Sequence, residues 1–77
     1  MKACKYVILD EITPVVFNAP LSHRDLRALG RITSAGYFVR TPDGVVIAGE
    51  AMSISVPNGK HDRELLERFF SCMAVTP

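Results

Sequence analysis

The stretch SHRDLRALGRITSAGYFVR, residues 22–40, reads at first as the start of a DNA-binding helix-turn-helix. Ser22 is a good helix cap, Leu26 and Leu29 share one side, and Gly30 sits where the turn belongs. A recognition helix would then have to run through TSAGYFVR with Gly36 at its centre. Glycine costs ~1 kcal/mol in that position, and Tyr37, Phe38 and Val39 favour a strand. TPDG at 41–44 is a turn sequence, proline second and glycine fourth, and Val45, Val46 and Ile47 follow it. The segment therefore predicts a β-hairpin, residues 33–40 paired with 45–49, and excludes the helix-turn-helix.

Toward the N-terminus, KYVILDEITPVVF (5–17) gives two short β-rich runs around Asp10-Glu11. Pro14 cannot donate to a ladder, so the second run is either an edge strand or enters the sheet after the proline. Residues 22–29 predict a helix of about two turns, with Asp25 in its first turn. Leu26 and Leu29 are expected to point inward from it, and Arg24, Arg27 and Arg31 to lie together on the opposite face.

Toward the C-terminus, AMSISV (51–56) alternates Met52, Ile54 and Val56 with Ser53 and Ser55, the period of a half-buried strand. Gly49-Glu50 before it reads as a two-residue turn, or else as a bulge in one long strand. HDRELLERFFSCM (61–73) predicts a second helix. Its apolar arc is Leu65, Leu66, Phe69, Phe70 and Met73. Glu64 and Arg68 are spaced as an i,i+4 pair, and Asp62 lies near the positive N-terminus. The expected order is β-β-α-β-β-β-α, an α+β domain with a small antiparallel sheet and both short helices on one face.

Seventy-seven residues allow one domain, 1–77. A chain of this size buries only about 60% of its unfolded surface, so its core is thin. With 48% hydrophobic and 22% charged residues, it is a folding composition rather than a disordered one. The formal charge is +1, too small to imply nucleic acid or membrane from totals alone. Its distribution is uneven: residues 1–40 hold six basic and three acidic groups, residues 41–77 three and five. No signal-peptide pattern and no apolar run near the ~20 residues of a membrane span is visible, so the expectation is cytoplasmic. Cys4 and Cys72 are then expected to be free thiols. They have no metal-ligand spacing with His23 or His61, so no metal and no cofactor are expected.

The middle SAG-F-VR, the following GE-x-x-S, the closing D-x-E-L-L-E-R and the opening YVILDEITPVVF…LSH resemble a group of small bacterial and prophage-encoded proteins. The sequence departs from that pattern at Tyr37, inserted in the Ser-Ala-Gly-Phe run. It departs again at VPNGKH, where a Pro-Glu start to the last helix would stand. The resemblance covers most of the chain. It implies a bacterial or prophage setting and carries no activity, partner or catalytic residue with it.

Among candidate chemistries, no arrangement of Ser34, Ser53 or Ser55 with His23 or His61 marks a nucleophile, and no phosphate-binding glycine loop is present. The reading is a non-enzymatic binding protein that acts through protein–protein contact or self-association, using an uncovered sheet edge or the Ser53/Ser55 face. The alternative is a nucleic-acid-binding regulator. Arg24, Arg27 and Arg31 would hold phosphates, and Tyr37 would be the one aromatic close enough to stack a base. A solvated outer helix face explains the same three arginines, with His23 as a surface residue beside them.

Overall fold

Strands β1 (Cys4–Leu9), β2 (Thr13–Phe17), β3 (Ile32–Thr41) and β4 (Gly44–Glu50) form one antiparallel sheet in the order β2-β1-β3-β4. A 3₁₀ helix (His23–Leu29) joins β2 to β3, and helix α1 (Asp62–Ala74) ends the order. This computed structural model describes the chain apart from residues 1, 2, 19, 52, 53, 55 and 75–77, and apart from the side chains of 72–74.

The α+β class and the antiparallel sheet agree with expectation, and the central hairpin lies where it was placed. Thr41 pairs with Gly44 across Pro42-Asp43. Pro14 sits on an edge strand, opposite Ile8.

The arrangement of the helices does not agree. Strand residues alternate between faces, and each face has its own core. Tyr6, Ile8, Phe38 and Val45 pack with Leu66 of α1 on one face. Val7, Phe17 and Ala35 pack with Leu26 of the 3₁₀ helix on the other. The two helices therefore cover opposite faces. The fully buried β1 segment Tyr6-Val7-Ile8 shows no period because it is covered on both sides.

Two local expectations also change. Gly49 and Glu50 belong to β4, opposite Tyr37 and Gly36, so no turn lies there. A register shift beside Tyr37/Phe38 leaves Ala48, not Gly49 or Glu50, as the extra residue, and β4 ends at Glu50 rather than running on as one long strand. The predicted 51–56 strand is replaced by a reversal: Ala51 bridges Val56, and the Ile54 N–H donates to the Ala51 carbonyl. Met52, Ser53 and Ser55, and with them the serine face, lie outside the described residues. Ile54 and Val56 still pack on the second core, so their apolar spacing served a folded-back loop rather than a strand. The loop brings the Pro57 carbonyl to the Ala35 N–H, the position on β3 that β4 has left.

The β1–β2 connection is backbone-strained. Asp10 and Glu11 both have positive φ, 51° and 67°. They are held by the start of β3: the Asp10 N–H donates to the Arg31 carbonyl, and the Glu11 N–H to Thr33 Oγ1.

Candidate functional site

The chemistry-bearing side chains fall into three places: a buried polar cluster, the 3₁₀ helix, and the outer edge of β4.

The buried cluster joins β1, β3 and the start of α1. Asp62, 2% exposed, accepts from the Tyr6 hydroxyl, from Ser34 Oγ at 2.6 Å and from the Gly59 N–H at 2.7 Å. Asn58 Nδ2 donates to the carbonyls of Ala35 (2.8 Å) and Gly49 (3.0 Å) and contacts the Tyr6 oxygen at 3.3 Å. A side chain at Gly36 would collide with that amide and with the Gly49 carbonyl, so this glycine is a close-approach site. Burial, reinforced by the Asp62 carboxylate, holds the Tyr6 phenol well above the ordinary tyrosine range. Every buried side-chain polar atom among the described residues has a partner. The cluster spends its hydrogen bonds on tying three elements together. A 200 Å³ recess lies beside it, with Ser34, Lys60, His61 and Leu65 among its walls.

The predicted basic face divides in two. In a 3₁₀ helix positions three apart eclipse, so Arg24 and Arg27 share one exposed side. Arg31 lies beyond the helix and turns to the strained β1–β2 connection, 3.6 Å from Asp10 and 3.8 Å from Glu11. The same three-residue period puts His23 and Leu26 over the sheet. Leu29, one turn on, has run past the packed surface and is 58% exposed. His23 is not a surface residue. It is buried, its Nε2 lies 2.8 Å from the Gly36 carbonyl, and its ring stands edge-on between Phe17 and Tyr37. Tyr37 is half-buried as the outer member of that stack. The Asp25 carboxylate accepts from the Ser22 N–H (2.8 Å) and hydroxyl (3.2 Å), which closes the helix start.

The β4 edge was not singled out by sequence. Backbone groups of successive strand residues point to alternate sides. Gly44 and Val46 face β3, so Val45 and Ile47 aim their N–H and C=O groups outward. The Val45 N–H is taken by Glu67 Oε2 of α1 at 3.0 Å, and Arg63 Nε lies 3.3 Å from the same oxygen. The Val45 amide, and then Arg63, hold the Glu67 carboxyl below the ordinary carboxylate range. Between the hairpin and α1 opens a 420 Å³ cleft whose walls include Arg40, Gly44, Arg63, Phe70 and Ser71. A 310 Å³ groove continues along Val45, Val46 and Ile47, again with Arg63 as a wall. The Arg40 guanidinium lies over the Phe70 ring, 4.0 Å from its centre. Val46 is 53% exposed.

One sequence signal pointed here and was misassigned. The i,i+4 ion pair of α1 is Arg63–Glu67, whereas Glu64 approaches His61 at 3.8 Å. No ion pair joins Glu64 to Arg68 among the described residues. Cys4 is a free, half-buried thiol, and the Cys72 side chain lies outside the described residues. Among the described residues no group of three His, Cys, Asp or Glu side chains forms a metal site, and no helix is long and apolar enough to cross a membrane.

No protein-family model, curated protein or solved structure matches the chain. The reading of its surfaces rests on their own chemistry.

Proposed function

We propose that the chain is a small non-enzymatic interaction protein that acts through protein–protein contact, with β4 as its docking strand. The observation that carries this is the outer edge of β4. It ends the sheet, points the backbone of Ile47 and the Val45 carbonyl outward, and displays Val46 at 53% exposure beside an open groove. An outer strand of this kind is a template for an added strand. The buried Tyr6–Asp62–Ser34–Asn58 cluster supports the same reading, because its polar groups are committed to internal partners. The bacterial or prophage setting and a cytoplasmic location belong to the proposal.

A second reading keeps a specific observation. Arg24 and Arg27 share an exposed side and have no carboxylate within 4 Å among the described residues, as a phosphate-binding regulator would require. It is the weaker one, because Arg31 is drawn off to Asp10 and Glu11 and Tyr37 is stacked against His23.

Photo-crosslinking in cells separates the two. A crosslinking residue at Val46 is expected to trap a discrete protein, and one at Ala28, on the basic helix, is not. Nucleic-acid adducts from position 28 with none from position 46 would replace the first reading by the second.

A further inference from the structure

We propose that the β4 edge takes an extended acidic peptide and that Glu67 is its built-in competitor. The inference rests on the edge-strand reading above and adds the chemistry of the partner.

Three observations converge. First, the outward Val45 N–H is already bound by a carboxylate, supplied by the protein itself from α1. Glu67 thus occupies the place that the first carbonyl or carboxylate of an added strand would take. Second, Arg63 is a wall of both the cleft and the groove, and it lies 3.3 Å from the Glu67 oxygen that holds the Val45 N–H. Third, Arg40 is pre-positioned over Phe70, and no carboxylate lies within 4 Å of it among the described residues. Stacking uses the face of a guanidinium and leaves its in-plane N–H donors for a carboxylate.

Arg63 is paired with Glu67, so Arg40 is the cation of the cleft that meets an incoming carboxylate with no carboxylate of the described residues within 4 Å. Asp43, in the turn at the cleft mouth, disfavours an anion there, so the acidic side chains belong on the Arg40–Arg63 side.

The binding step is an exchange. The peptide backbone pairs with Val45 and Ile47, Glu67 gives up the Val45 N–H, and Arg63 passes from Glu67 to a peptide carboxylate. Removing the Glu67 charge removes the competitor.

The test is a titration of isotope-labelled protein, followed by its backbone amide resonances. One probe is a ten-residue peptide alternating glutamate and valine, the other its lysine-for-glutamate counterpart. The acidic peptide is expected to shift the amides of Val45, Val46 and Ile47, and the lysine peptide to bind at least tenfold more weakly. Arg40→Ala with Arg63→Ala should weaken the acidic peptide about tenfold, the equivalent of ~1.4 kcal/mol. Arg40→Lys keeps the charge and checks for lost packing. Glu67→Gln should tighten binding severalfold. Equal binding of both peptides, insensitivity to the arginine substitutions, or weaker binding by Glu67→Gln would overturn the proposal. No shift at β4 up to millimolar peptide would also overturn it. If Val46 still traps a protein in cells, the docking strand stands and only the acidic partner falls. If neither occurs, both readings fail.

Discussion

The Tyr6 hydroxyl donates to the Asp62 carboxylate across 56 positions of chain, between two fully buried side chains. The bond fastens the centre of the sheet to the first residue of α1. Because Ser34 and Gly59 donate to the same carboxylate, its two oxygens collect three donors. Tyr6→Phe should cost ~1–3 kcal/mol, the scale of a lost hydrogen bond to a buried charged group. Asp62→Ala strands all three donors and should cost at least ~3 kcal/mol. Urea melts of the single and double variants would measure the coupling, and additive losses would deny that the two residues act together.

The same phenol sets an alkaline limit. Its folded value is raised above the ordinary 10.0, so the unfolded chain gives up the Tyr6 proton first as pH rises. The contribution is complete below pH 10 and is lost progressively above it. Denaturation midpoints measured from pH 8 upward should fall more steeply for the parent than for Tyr6→Phe. Parallel curves would contradict the assignment.

Glu11 supplies a stabilising substitution. With φ at 67° it occupies a left-handed conformation that costs a residue with a Cβ roughly 1–2 kcal/mol and glycine almost nothing. Glu11→Gly also gives up the exposed 3.8 Å contact with Arg31, worth ~0–1 kcal/mol. The expected balance is a gain of ~0.5–1 kcal/mol, read as a higher urea midpoint with unchanged slope.

Two leucines of similar sequence appearance should behave oppositely. Leu66 is fully buried between α1 and the sheet, and Leu66→Ala should cost ~2–5 kcal/mol. Leu29 has run past the sheet, and Leu29→Ala should move stability by less than ~0.5 kcal/mol. Thermal melts of the two variants test whether the 3₁₀ period governs that helix.

Strand content and hairpin register were legible because β-branched runs and TPDG act locally. Ile32–Thr41, Gly44–Glu50 and Asp62–Ala74 each begin and end one residue from where propensity puts them. What the sequence concealed depends on tertiary context. An i,i+3 reading and an i,i+4 reading of HRDLRAL both bury Leu26, and only the sheet beneath decides that His23 goes in and Leu29 stays out. Within the apolar arc of α1, Leu66 is fully buried while Leu65, Phe69 and Phe70 are half-covered, a gradient that composition cannot express. The 51–56 alternation fits a strand and a packed reversal equally well. The β4 edge was invisible for another reason: edge status is a property of the sheet order, and no residue of VVI announces it.

The span from Tyr6 to Asp62 has a consequence for synthesis. At a translation rate of about 5–20 residues per second, Asp62 is made roughly 3–11 s after Tyr6. The helix that roofs Tyr6, Ile8, Phe38 and Val45 is thus made after all four strands of the sheet. Wherever α1 is not seated, those side chains meet water as one apolar surface, and the Val45 N–H loses the carboxylate that covers it.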